Sequence, residues 1–149
     1  MSLRALALAT LLGVVQVSVN AADSGLVVLQ SRAMASLPGS DNTAVYLTLH
    51  NAGAQADRLL SASTPAAARA ELHATMIMSG GTATMKSLPA LDVPVGGTVS
   101  MAPGGMHLML SGLKQPLRAG SRLSLTLKFA KAGSMTIAVP IEAVTAIPR

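Results

Sequence analysis

Residues 122–141 read RLSLTLKFAKAGSMTIAVPI, and the alternation in this stretch is the clearest structural signal in the chain. Apolar and polar residues take turns over 122–129 and again over 135–141, which is the period of a β-strand with one buried and one solvated face. The residues between these runs contain a glycine and have the length of a hairpin turn. A third alternating run spans 45–50, and the alanine-rich segment 65–70 is expected to form one helical turn. The pattern predicts an all-β protein, a sandwich or a barrel.

The beginning of the chain has the features of a secretory signal peptide. Arg4 precedes an apolar run over residues 5–19, and small residues follow at 20–22. The alternative is a membrane anchor, but the run is short for a span and lacks a basic stop-transfer flank. We therefore expect a cleaved signal peptide over 1–22, and a single periplasmic domain over 23–149 without a membrane anchor.

Composition excludes several classes of function. The chain has no cysteine, which excludes disulfides, thiolate metal sites, thiol catalysis and a cysteine-linked lipid anchor. The formal net charge is +5, but the basic residues are scattered and only one Tyr and one Phe are present, so we expect no nucleic-acid partner. No Ser-His-Asp spacing, P-loop or dinucleotide fingerprint occurs, so we expect no enzymatic activity.

The methionines are unevenly distributed along the chain. Of the nine methionines, six fall between residues 76 and 109. Two interpretations are open at this point: methionine fills core gaps that aromatic residues would otherwise fill, or thioethers form a metal site. Strand parity assigns Met76, Met78, Met101 and Met106 to core-facing positions.

All three histidines are predicted to lie on strand faces that point away from the core. In ELHATMIM, residues 71–78, the leucine next to His73 has core parity, so His73 points the other way. In MHLML, residues 106–110, both leucines have core parity, so His107 and Met109 project together, about 7 Å apart along the strand. We expect this His-x-Met clip to be solvent-accessible at one end of the sandwich. The alternative for His107 is an ordinary exposed strand histidine, which is also the interpretation of His50.

The spacing of histidines and methionines extends this clip into a longer pattern. Eleven residues separate His73 from Met85, twenty-one residues separate Met85 from His107, and one residue separates His107 from Met109. This pattern resembles the periplasmic copper chaperones of the PCuAC family, in which His, Met and His-x-Met recur at similar spacings. The resemblance also covers VYLTL at 45–49, DRLL at 57–60 and PGGMHLML at 103–110.

The resemblance implies a cupredoxin-like or immunoglobulin-like β-sandwich. It implies one Cu(I) per chain, bound by His73, Met85, His107 and Met109, in a monomer that carries copper toward the copper centre of cytochrome c oxidase. The recipient would be an oxidase subunit II or a thiol-containing assembly factor. The alternative is copper sequestration without a dedicated recipient, whereas a blue-copper electron carrier would need a cysteine.

The sequence departs from the family pattern in two places. Ala74 stands where many relatives have methionine, and residues 142–149 lack the His and Met of the Cu(II)-binding tail found in some relatives. The chemistry of the four implied ligands nevertheless suits Cu(I), because thioethers are soft and uncharged and imidazole adds a stronger donor.

Overall fold

The computed structural model describes residues 25–144, so the predicted signal peptide over 1–22 lies outside the described residues. Within 25–144 the secondary structure is entirely β, and no helix is long and apolar enough to cross a membrane. The ten strands are β1 (Leu26–Met34), β2 (Asn42–Asn51), β3 (Asp57–Ser63), β4 (Ala67–Ile77), β5 (Ala83–Ser87), β6 (Leu91–Val93), β7 (Thr98–Ser100), β8 (Met106–Leu113), β9 (Arg122–Phe129) and β10 (Gly133–Glu142).

The strands pair in the order β5-β4-β8-β2-β1-β10-β9-β3-β6, and β7 pairs with β2. The β1–β10 pair is parallel, whereas the pairs that flank β4, β8 and β9 are antiparallel. A further contact between β3 and β4, at Ala62 and Ala70, brings the two halves of the sheet together around one core. The predicted all-β sandwich is confirmed.

The core is built by the alternation seen in the sequence. The hairpin of β9 and β10 has Phe129 opposite Gly133, and Gly133 has φ +75°, a left-handed conformation that favours glycine at this turn. The side chains at alternate positions of β2, β8, β9 and β10 point inward and are buried, including Val45, Leu47, Leu49, Leu108, Leu110, Leu123, Leu125, Leu127, Phe129, Met135, Val139 and Ile141. The predicted strands over 45–50, 122–129 and 135–141 are therefore confirmed.

The helical turn predicted over 65–70 is wrong, because β4 already begins at Ala67. Ala67 is buried and lies opposite Leu113 of β8. A Cβ added to Gly112 would lie 2.8 Å from the Cβ of Ala68, so the small residues on both strands let the two backbones approach closely. Pairing with β8 thus outweighs the weak helical preference of alanine.

The core assignment of the methionines is confirmed for Met101 and wrong for two others. Met101 is buried, and Met106 is half-buried and packs against the core. Met76 and Met78, in contrast, are 46% and 51% exposed. The reason is that β8 begins at Met106, which lies opposite Ala74, so β4 extends past the end of β8 with only β5 beside it.

Candidate metal centre

The centre of the candidate site is a pair of histidines on neighbouring strands. The register of β4 and β8 places His73 directly opposite His107. Their ring centroids lie 5.8 Å apart, with an angle of 67° between the ring planes. Leu72 and Leu108, one step away in the same register, face the core, so the two imidazoles share the opposite face of the sheet.

Met85 reaches the same face from the edge strand β5. Ser87 lies opposite His73, and its Oγ is 3.3 Å from His73 Nε2. The Ser87 side chain therefore projects from the same face of the sheet as His73. Met85 is two residues before Ser87 and lies opposite Thr75, so its side chain projects from the same face of the sheet as His73 and Ser87. Its side chain is 60% exposed.

Met109 completes the predicted set from β8. It is two residues from His107, it is half-buried, and it lies opposite Glu71 on β4. The Oε2 atom of Glu71 is 3.4 Å from His73 Nε2. The four predicted residues therefore share one face of β5, β4 and β8, with a carboxylate beside them that would balance the charge of a cation held by neutral ligands.

His107 is buried, with only 5% of its surface exposed, and this corrects the expectation of a solvent-accessible clip. The strand β8 runs between β4 and β2, so side chains from both neighbours cover its outer face. The ring of Tyr46 on β2 lies 6.4 Å from the His107 ring, centroid to centroid, and the guanidinium of Arg32 lies 5.2 Å from the Tyr46 centroid. The site is thus deep at His107 and open at Met85.

Sequence reasoning missed the roles of Tyr46 and Glu71 as neighbours of the histidines. The sequence does indicate that Tyr46 lies on the outer face, because it alternates with the core residues of β2. What the sequence lacked was the strand order that places β2 beside β8.

Burial also sets the protonation of His107. Desolvation lowers its pKa below the ordinary value of 6.5, and the neighbouring His73 lowers it further, while a hydrogen bond to the backbone of Gly105 acts in the opposite direction. The net effect favours the neutral imidazole, which is the form that binds a metal.

One nitrogen on each ring lacks a hydrogen-bond partner among residues 25–144. These atoms are His73 Nδ1 and His107 Nε2, and both are buried. A buried polar atom without a partner costs about 1–3 kcal/mol, so such atoms call for a functional explanation. No group of three or more His, Cys, Asp or Glu side chains in this part of the chain could hold a metal ion. Two imidazoles and two thioethers on one face of the sheet are instead a donor set that fits a soft monovalent metal.

The fold is that of PCuAC domains. A copper-bound PCuAC domain from PmoF2 superposes with a TM-score of 0.70 at 25% identity, covering 83% of this chain and 97% of that domain. The solution structure of CuI-DR1885 from Deinococcus radiodurans matches with a TM-score of 0.62 at 36% identity, covering 76% of this chain and 75% of that protein. The resemblance to the PCuAC family inferred from the sequence is confirmed.

The chain belongs to the LpqE-like family. The family described as "Putative lipoprotein LpqE-like" matches residues 16–141. The "Putative lipoprotein Lxx21020" of Leifsonia xyli subsp. xyli is 35% identical over 112 residues, which are 75% of this chain and 68% of that protein.

Proposed function

We propose that this protein is a periplasmic Cu(I) carrier that holds one tightly bound ion with His73, Met85, His107 and Met109. The observation that carries the proposal is the pair of buried imidazole nitrogens without partners, on rings whose centroids lie 5.8 Å apart. The solved structures that share the fold and contain copper support the choice of metal. Copper is the cargo here, and the protein carries out no chemical transformation.

The gradient of burial across the site suggests how the ion is exchanged. His107 is buried and held between neighbouring strands, whereas Met85 is exposed on an edge strand. A thiolate of a recipient would approach from the β5 side and displace the Met85 thioether first, because that ligand is the most accessible and the weaker donor. The remaining ligands would then be replaced in turn, so copper never enters the solvent as a free ion.

The recipient we propose is the copper centre of cytochrome c oxidase, reached through subunit II or a thiol-containing assembly factor. The predicted signal peptide supports export, as do the lipoprotein names of the family and of the Leifsonia protein. Thioether ligands suit that compartment, since methionine forms no disulfide. Neighbouring genes separate delivery from sequestration: oxidase assembly factors favour the first and efflux components the second.

The first experiment is an anaerobic Cu(I) titration of the domain against a chromophoric chelator, with Zn(II) in parallel. We expect one tight equivalent of Cu(I) and no competition from Zn(II), because half of the donors are thioethers. X-ray absorption at one equivalent should show both nitrogen and sulfur scatterers. A shell of nitrogen and oxygen alone would exclude Met85 and Met109 as ligands.

A second experiment tests the ligands and the carrier role together. Met109→Leu should weaken Cu(I) binding, whereas Met34→Leu, which removes a half-buried thioether from β1, should not. Loaded wild-type protein should transfer copper to a dithiol acceptor domain within minutes. Transfer that needs hours would favour sequestration, and unchanged binding in Met109→Leu would remove Met109 from the site.

A further inference from the structure

The hairpin of β4 and β5 carries a second group of methionines that the histidine site does not use. Met76 lies in β4, and Met78 is the first residue after the end of β4. Both have the parity of Leu72. The ladder continues to Met78, whose N–H donates to the carbonyl of Thr82 at 2.8 Å. The two side chains therefore project from one face, about 7 Å apart along the strand. That face is opposite to the one that carries His73 and Met85.

A third thioether joins this face from β8. Met106 lies opposite Ala74, so it is a diagonal neighbour of Met76, at a spacing of about 7–8 Å between backbones. Methionine side chains are long and flexible enough to bring three sulfur atoms at this spacing to one point.

The core does not cover these side chains, although they lie at core parity. Large apolar residues at core parity are expected to be buried, yet Met76 and Met78 are half exposed. The reason is that β8 begins at Met106, opposite Ala74, and does not lie beside them. Lys86, opposite Ala74 on β5, is the charged neighbour on this face, and its charge disfavours a cation. Thioethers select Cu(I) among the metals available to proteins.

We propose that Met76 and Met78, assisted by Met106, form a second Cu(I) site that contains thioethers only. It is weaker than the histidine site because it lacks imidazole and has Lys86 nearby. Its exposed position makes it a loading site from which an ion reaches the histidine site on the opposite face of the same hairpin. The existence of this second site does not depend on the ligands assigned under the proposed function, whereas its role as a loading site rests on them.

The test is a Cu(I) titration of wild-type protein, Met76→Leu/Met78→Leu and the control Ile77→Leu, which changes an exposed side chain of the same hairpin. Wild type and the control should bind two equivalents, one tight and one weak, and the double variant should lose only the weak one. X-ray absorption of His73→Ala/His107→Ala at one equivalent should show sulfur scatterers without nitrogen. Retention of the weak equivalent in the double variant, or a single equivalent in wild type, would overturn the proposal.

A measurement on wild type alone covers the case in which a variant folds poorly. With the methionine methyl groups labelled, the second equivalent of Cu(I) should shift the NMR resonances of Met76 and Met78, and the first should leave them unchanged. Shifts confined to Met85 and Met109 throughout would refute the second site. They would leave the histidine site intact, so the two proposals fail separately.

Discussion

The two halves of β4 have the same alternation and opposite surroundings. Up to Ala74 the strand is paired with β8, and Leu72 packs against the core. Beyond Ala74 it is paired only with β5, and Met76, at the same parity as Leu72, is nearly half exposed. Alternation therefore decides which face a side chain occupies, while the neighbouring strand decides whether that face is buried.

The candidate site lies where these two halves meet. His73 is on the covered half and faces the buried His107, whereas Met85 lies opposite Thr75, where the cover of β8 ends. A ligand set that spans this boundary has a fixed, dehydrated end and an accessible end. That combination suits a protein that must hold an ion and also release it.

The largest effect is expected from a truncation in the covered half. Leu108→Ala removes a fully buried side chain opposite Leu72 and should lower the free energy of unfolding by about 2–5 kcal/mol. The matched control is Leu29→Ala, whose side chain is 55% exposed and whose loss should cost at most about 0.5 kcal/mol. Urea denaturation measures both. Equal losses would mean that the inner face of β8 is not the core.

A smaller effect, of opposite sign, is expected at His107. His107→Leu replaces a buried ring that has an unpaired nitrogen with an apolar side chain of similar size, so the copper-free protein should gain about 1 kcal/mol. The same change should remove the tight Cu(I) equivalent. Urea denaturation and chelator titration of one preparation check both outcomes. A decrease in the free energy of unfolding of more than about 2 kcal/mol would show that the imidazole stabilises the fold and that its unpaired nitrogen is not explained by ligand binding.

The sequence predicts the local features of this molecule and misses the non-local ones. The hairpin over 122–141 follows from its alternation, and the shared face of His107 and Met109 follows from parity. The burial of His107 and the neighbourhood of Tyr46 depend on β8 lying between β4 and β2, and nothing local encodes that order. The failed helical turn at 65–70 has the same origin, since pairing with β8 overrides propensity.

The pH dependence of stability tests the environment of His107. Its pKa is lowered in the folded protein, so above the ordinary value of 6.5 both states are neutral and its contribution to stability is full. As the pH falls through 6.5, the unfolded chain takes up a proton that the folded chain resists, and stability decreases until the folded pKa is passed. Through this ligand, the Cu(I) affinity of the folded protein should fall only when the pH passes the lowered pKa of His107, because only then does a proton occupy the imidazole.

The matched comparison is wild type against His107→Leu, each denatured with urea at about pH 7.5 and about pH 5.5. Subtracting the two pH dependences removes the contributions of the carboxylates, and a residual loss in wild type is expected. If the variant loses as much stability as wild type on acidification, the folded protein does not exclude the proton from His107.

The smallest effect is expected from the uncovered half of β4. Met76→Ala shortens a side chain that β5 alone flanks, and the free energy of unfolding should change by no more than about 0.5 kcal/mol. Leu72→Ala, at the same parity and four residues earlier, removes a side chain packed against the core and should cost at least about 2 kcal/mol. Both substitutions leave an alanine in the same strand. The difference between their losses of unfolding free energy therefore reports the covering by β8 and not the strand propensity of alanine. A cost above about 1.5 kcal/mol for Met76→Ala would mean that the end of the hairpin is packed in solution. The thioethers would then have a structural role, and the proposal of an exposed Cu(I) site at that end of the hairpin would be wrong.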